Sequence, residues 1–304
     1  MSRRYSVLDV FTKTALTGNP LAVVHDSDGL DTAAMQTIAR EFGVPETVFV
    51  FPAANPTHTA KLRIFTPGRE LDFAGHPTVG TAVLLASRRF AGMNDAIDAM
   101  VVLEENVGIV RSAVKLQPQG ASYAEFSVPK VPAPVSARFG DKSAIADALG
   151  LTSADIGFEN HKPSAWTCGA PFLFVPIAGL EPMRRARPRI DSFKDAFGTV
   201  DRVGVYLYTR ECVHHDSQFH ARMFAPESGI FEDPATGSAV AGFGGALLTL
   251  DNLADGTHTF RIEQGLEMGR ASFITLSLDI EDASIKAERI GGHAVIIAEG
   301  TLLV

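Results

Sequence analysis

Cysteine is scarce. The 304-residue chain has two, Cys168 and Cys212, in no spaced motif. That excludes a disulfide scaffold and fits a cytosolic protein with free thiols. Positive charge is also short, with 27 Lys and Arg against 35 Asp and Glu and a net charge of -8. Such a balance argues against a nucleic-acid partner. The nearest thing to a basic run, RRARPR at 184–189, reads as a solvated loop between Pro182 and Pro188. No segment approaches the ~20 apolar residues of a membrane span, and MSRRYSVLDV lacks the apolar stretch of a signal peptide. The expected location is therefore the cytoplasm. Several chemical signatures are missing too. There is no Gly-x-Ser-x-Gly elbow, and GHPTVGTA has no P-loop lysine. GFGG at 242–245 lies within an apolar helical stretch, not in the strand–turn–helix setting of a dinucleotide site. HHDSQFH at 214–220 matches no standard zinc spacing and reads as a polar turn entering a strand, so no metal is expected.

What is there is a core. Apolar residues make up 46% of the chain and charged residues 20%, enough to fold without staples. At roughly 150 residues per domain the length suggests two domains. DTAAMQTIAREFG has an N-cap aspartate, helical apolar spacing and a closing glycine, and predicts a helix. HPTVGTAVLLASRR, SAIADALG and TGSAVAGFGGALLTL predict three more. Strands are expected at SVLDVFT, GNPLAVVHD, ETVFVFP, AKLRIFTP, ENVGIVRSAVKLQ and AEFSVPKVP. In the second half they are expected at FLFVPIAGL, VGVYLYTR, FHARMFAP, FRIEQGLEMGR, SFITLSLDI, IKAERIG and AVIIAEG. Many strands and few helices, without regular alternation, indicate a mixed α/β fold rather than a doubly wound sheet. The proline-rich run KVPAPVSARFG, near 128–138, is the expected linker. It divides the chain into halves 1–128 and 129–304, with the last strand free to return to the first half.

An internal repeat links the halves. RIFTPGRELDFAGHPTVGTAV (63–83) and RMFAPESGIFEDPATGSAV (222–240) share an Arg-apolar-Phe-small-Pro start and a Pro-x-x-Gly-(Thr/Ser)-Ala-Val end. Pro77 then lies over Pro234 and Gly80 over Gly237, with His76 and Asp233 just before the prolines. TAVLLA and AVAGFGGALL are apolar all round, which predicts helices wrapped by sheet. A polar, titratable residue at the mouth of each would sit where free N–H groups and a partial positive charge favour an anion. Two such mouths facing one cleft would bind a small carboxylate.

Each candidate has a plainer alternative. Glu46, after Pro45 and before a β-branched run, is either exposed, as most glutamates are, or aimed into a cleft. His76 either caps its own helix or titrates in a site. Asp233 is either a helix N-cap or part of the chemistry, toward which the repeat tips it.

TGNPLAVV, ETVFV, RIFTPGRELDFAGHPTVGTA, EDPATGSA and EQGLEMGRAS, in this order, resemble the phenazine-biosynthesis PhzF-like family, of the diaminopimelate epimerase fold. The resemblance runs from about residue 7 to the C-terminus. It implies two pseudo-symmetric domains, each a sheet rolled around a central helix, with the active site between them. It also implies a homodimer that needs neither organic cofactor nor metal. In the family's namesake enzyme a proton moves between ring carbons of a dihydro-3-hydroxyanthranilate. By the same resemblance the acid–base glutamate matches Glu46, and the active-site histidine and aspartate match His76 and Asp233. Asn19, Gly75, Gly237, Ser238 and Gln264 match substrate-binding positions. Thiol-dependent relatives carry two cysteines, but Ala74 and the DPATG loop stand in those places here, so a two-thiol mechanism is not expected. The expectation is an isomerase acting on a small carboxylate, with a non-catalytic ligand-binding protein as the alternative. KTAL (13–16) and HKPSAWTCG (161–169) depart from the family pattern and leave the substrate open.

Overall fold

A computed structural model describes residues 2–198 and 204–304. The chain divides into two compact units, Met1–Pro129 with Arg289–Val304, and Lys130–Glu288.

The first unit runs β1 (Ser2–Val10), β2 (Asn19–Val24), α1 (Thr32–Phe42), β3 (Glu46–Phe51), β4 (Ala60–Phe65), β5 (Glu70–Leu71), α2 (Gly75–Arg89), β6 (Ile97–Glu105), β7 (Gly108–Leu116) and β8 (Ser122–Ser127). The second runs β9 (Ala133–Pro134), α3 (Lys142–Ala148), β10 (Ser164–Thr167), β11 (Pro171–Pro176), α4 (Leu180–Arg185), α5 (Ile190–Phe197), β12 (Gly204–Thr209), β13 (Phe219–Ala225), β14 (Ile230–Asp233), α6 (Gly237–Leu250), β15 (Gly256–Gln264) and β16 (Ser272–Glu281). β17 (Ser284–Leu303) begins in the second unit and from Arg289 belongs to the first.

In the first unit the strands close on themselves. The order is β1–β2–β3–β4–β6–β7–β8–β17 and back to β1, and Ala294 of β17 pairs with both Ser122 and Val10. Closure leaves the ring without an edge strand. α2 fills the inside, packed on β1, β2, β3, β6, β7 and β8 and buried from Gly75 to Leu84. α1 covers the outside of β2–β4, where Val24, Phe49 and Phe65 meet Met35, Ile38 and Ala39. Asp31 caps α1 by accepting from the Ala34 N–H at 2.8 Å, and left-handed Gly43 ends it.

The second unit repeats the ladder pattern. β2–β3, β3–β4, β4–β6 and β6–β7 are parallel, antiparallel, parallel and antiparallel, and so are β11–β12, β12–β13, β13–β15 and β15–β16. Short β5 pairs with β4 as β14 does with β13. Period-2 alternation sorts the side chains of its strands. Leu173, Val175, Val205 and Leu207 face α3–α5, while Phe174, Tyr206 and Tyr208 ring Phe243 of the buried α6. Among the described residues no helix is long and apolar enough to cross a membrane.

The structure corrects several expectations. RRARPR is not simply a solvated loop. Its first arginines close α4, with Pro182, Met183 and Ala186 buried and the arginines outside. β6, α5 and the short β10 were not expected. The strand expected at FRIEQGLEMGR stops at Gln264 and turns through left-handed Gly265. IKAERIG and AVIIAEG are one strand. Gly291 stays in the ladder opposite Glu125, because a Cβ there would stand 2.7 Å from Tyr123 Cζ. Val203, expected to open β12, lies outside the described residues.

Candidate functional site

In the first unit, β3 opens directly after Pro45, with Glu46 paired to Leu21 of β2. The Glu46 side chain is only 15% exposed, which overturns the exposed alternative. Its Oε2 lies 3.4 Å from Nε2 of His76, whose side chain is 5% exposed. His76 does not cap its helix. The N-cap is Ala74, without a side-chain cap bond, and His76 is the second residue of α2. Close packing puts it there. A Cβ on Gly80 would stand 2.6 Å from Leu21 Cδ2 and 2.7 Å from Val10 Cγ2, so glycine lets α2 press onto β1 and β2. The ring thereby reaches the Pro20 backbone, with which it hydrogen-bonds. Burial pushes the imidazole down to about 3 against that bond, so His76 is neutral at physiological pH. Asn19, the first residue of β2, and Gly75, the first of α2, are both buried beside these groups.

In the second unit Asp233 is not a helix cap either. It ends β14, opposite Met223, while α6 begins at Gly237 after the N-cap Thr236. The repeat set His76 over Asp233. The matching ladders instead put Leu71, opposite Ile64, in the place of Asp233. Asp233 is buried, and its Oδ2 accepts from Thr236 Oγ1 at 2.5 Å. Gln264, fully buried, ties the loop down. Its Nε2 donates to the Asp233 carbonyl (2.8 Å) and Thr236 Oγ1 (3.0 Å), and its Oε1 accepts from the Thr236 N–H (3.2 Å). Left-handed Gly265 lets the next turn pass under Pro234, whose carbonyl a Cβ there would meet at 2.6 Å. Gly237 and half-buried Ser238 open α6. The Tyr206 hydroxyl is buried nearby, and burial followed by the Asp233 charge pushes its pKa up.

Within the first unit, then, Glu46 and His76 come together with Asn19 and Gly75 close by. Within the second, Asp233 and Gln264 join through Thr236, with Gly237 and Ser238 following. Thr236 and Tyr206 were missed. So was Glu105, at the end of β6. It falls on the same period-2 face as Val101 and Leu103, and that alternation is the signal that marks it as buried. The HHDSQFH stretch does enter β13, but His220 is buried there, its Nδ1 2.8 Å from Glu263 and its Nε2 3.0 Å from Glu267. Burial works to lower His220, yet the bonds to the two carboxylates raise it. Glu263 also takes the Val213 and His214 backbone N–H groups, so this is a closed network bracing the strand beside Gln264. Among the described residues no group of three or more His, Cys, Asp and Glu side chains is arranged to hold a metal ion.

Residues 8–300 match the family described as phenazine biosynthesis-like protein (PhzC-PhzF). An uncharacterized isomerase of Mesorhizobium japonicum is 48% identical over 306 residues, covering 100% of this chain and 99% of that one. The trans-2,3-dihydro-3-hydroxyanthranilate isomerase of Pseudomonas chlororaphis is 30% identical over 302 residues, covering 98% and 99%. The crystal structure of the Bacillus anthracis phenazine biosynthesis protein of the PhzF family superposes with a TM-score of 0.87 at 26% identity, over the whole of both chains.

Proposed function

The chain belongs to the phenazine biosynthesis-like (PhzC-PhzF) family, whose relatives include several named isomerases, and on that premise we propose a cofactor-free proton transfer between carbons of a small carboxylate, with Glu46 as the acid–base group. The observation that carries this reading is the Glu46–His76 pair. Pro20 has no N–H, so its backbone can only accept, and the imidazole must donate. Nε2 has no hydrogen-bond partner, which leaves Nδ1 as the donor. A neutral ring with its proton on Nδ1 presents a lone pair at Nε2 to Glu46 Oε2. Two lone pairs at 3.4 Å repel, whereas a carboxylic acid there donates. A base for a C–H bond needs such a half-buried carboxyl, because burial strengthens it toward the working pH. The ionised carboxylate takes the proton, and the C–H electron pair enters a shifted double bond. The same carboxyl then returns the proton to the other carbon, leaving the substrate an isomer of itself.

Asp233 is proposed as a further acid–base group of this reaction, and Asn19, Gly75, Gly237, Ser238 and Gln264 as substrate-binding residues. The same reading carries a cytoplasmic homodimer without a nucleic-acid partner, supported by the family resemblance and the net charge of -8. Sedimentation at twice the monomer mass is the check on the dimer.

The relative's compound, trans-2,3-dihydro-3-hydroxyanthranilate, heads the substrates to try, followed by other cyclic and amino carboxylates. Incubated with the protein in D2O and followed by proton NMR, a true substrate takes up deuterium at carbon. Glu46→Gln should keep ligand-induced thermal stabilisation and lose ~10²–10⁴-fold in exchange rate. A variant retaining more than about a tenth of the rate would remove Glu46 from this role. Binding without exchange in the unaltered protein would replace the isomerase with a ligand-binding member of the fold.

A further inference from the structure

Glu105 is buried against the first turn of α2, where the candidate site residues Gly75 and His76 lie. Its Oε1 is 2.8 Å from Thr78 Oγ1. Its Oε2 is buried with no hydrogen-bond partner. Thr78 Oγ1 is also 2.8 Å from the Ala74 carbonyl, the N-cap of α2. A hydroxyl has one proton, and a carbonyl can only accept. If Thr78 donates to Ala74, the proton in the Thr78–Glu105 contact belongs to Glu105. If Glu105 were ionised, the hydroxyl would have to turn to it. A buried carboxylate would then rest on one neutral hydrogen bond with its second oxygen bare, a costly arrangement.

Among the described residues, the elements packed around Glu105 bring no cation to relieve this. On β6 the neighbouring Glu104 points the other way, bound by the Ala54 and Asn55 N–H groups and by His58. On α2 the titratable residue of the first turn is His76, which is neutral. The segment entering α2 brings Asp72, whose carbonyl accepts from the Val107 N–H. β7 pairs with Glu105 at Gly108 and keeps Arg111 exposed, and β8 turns uncharged Ala124 and Phe126 inward. Burial pushes the Glu105 carboxyl up to about 8, with the Thr78 bond opposing.

We propose that Glu105 is a positioning residue of the isomerase site: as a protonated acid it donates to Thr78, leaves the Thr78 proton on the Ala74 carbonyl, and so fixes the turn that carries His76. Its ionisation turns the hydroxyl away from Ala74 and loosens that turn. This rests on the reading of His76 as a site residue, but two of its tests need no substrate.

The first test follows the His76 imidazole by nitrogen-15 NMR from pH 5 to 9.5. His76, held near 3, does not itself titrate there. The unaltered protein should show a step in the His76 signals near pH 8. Glu105→Gln, which can still donate but cannot ionise, should show none, and Thr78→Val, which cuts the route, should abolish it too. Signals that stay flat in the unaltered protein, or a step that survives in either variant, overturn the proposal. The second test compares melting temperatures of the unaltered protein and Glu105→Gln. A carboxyl raised on folding contributes stability that is full below its unfolded value of 4.5 and is lost as pH rises through about 8. The variant should therefore gain on the unaltered protein across that window and level off above it. A gap that does not vary with pH would mean a merely structural acceptor and would also overturn the proposal. If exchange into carboxylates is found, its rate should fall above about pH 8 in the unaltered protein and not in Glu105→Gln. If no carboxylate exchanges while the NMR step is present, the isomerase reading fails and the Glu105–Thr78 coupling stands.

Discussion

Glu232 and Asp233 are adjacent carboxylates with opposite tasks. Glu232 receives the Arg222 guanidinium in a fork, Nε to Oε1 at 2.7 Å and Nη2 to Oε2 at 2.9 Å. Arg222 is 1% exposed and also donates to the carbonyls of Met183 and Ala186. The fork has a counterpart in Arg63 and Glu70, whose bonds are 2.7 and 2.6 Å, and each arginine lies over the phenylalanine two residues on. This is the structural half of the repeat. Asp233 accepts a hydroxyl that an asparagine oxygen accepts as well. Asp233→Asn should therefore melt near the unaltered protein but lose most of its exchange activity. Glu232→Gln leaves a buried cation short of its countercharge, and by roughly 3 kcal/mol should melt lower while its folded fraction keeps its rate. Thermal melts and deuterium uptake on both variants decide this. The reverse pattern would make Asp233 structural.

At the scale of elements, the runs TAVLLA of α2 and AVAGFGGALL of α6 are apolar, and both helices pack on several strands. α6 uses glycine to make room. A Cβ on Gly242 would sit 3.1 Å from the Phe174 ring, one on Gly244 2.9 Å from Leu278 Cδ2, and one on Gly245 2.9 Å or less from Trp166. None of the three has positive φ, so their reason is close approach rather than backbone freedom. In an exposed helix Gly→Ala would gain about 1 kcal/mol of propensity. Here Gly245→Ala drives a methyl into an indole ring, and overpacking costs roughly 1–3 kcal/mol. The net effect should be a lower denaturation midpoint, measured in urea. A higher midpoint would mean that Trp166 has space to yield.

At the scale of the whole molecule, each unit buries against its central helix a carboxyl with at least one oxygen that has no hydrogen bond. Glu105 meets α2, and Glu288 lies beside Gly244 of α6 with neither oxygen hydrogen-bonded. Burial raises Glu288 well above its ordinary 4.5. Its stabilising contribution is thus complete below 4.5 and is lost as pH rises toward the raised value. Glu288→Met, similar in length and without a charge, should melt higher than the unaltered protein at neutral pH, by a margin that grows from pH 5 upward. Melts at several pH values check this, and a constant or shrinking margin would mean the carboxylate is compensated.

Sequence alone determined what local rules govern. The Asp31 cap, the closing Gly43, the apolar runs TAVLLA and AVAGFGGALL of the two central helices and the repeated Arg-x-Phe strands are written within single turns or single strands, where period and capping chemistry act. The repeat motif and the family pattern marked Glu46, His76, Asp233 and Gln264 as residues to watch. Tertiary structure decided what each of them touches. Glu46 meets His76 only because β3 lies parallel to β2 and Gly80 lets α2 close on that ladder, a contact between residues far apart in the chain. His76 entered its helix where Gly80 lets α2 press onto β1 and β2, whereas Asp233 stayed three residues ahead of the Thr236 cap, where Gln264 and the Gly265 turn hold that loop out of the helix. The buried state of Glu105 was legible in the alternation of β6. Its partner Thr78 was not, because only the closed ring of strands brings the end of β6 against the first turn of α2.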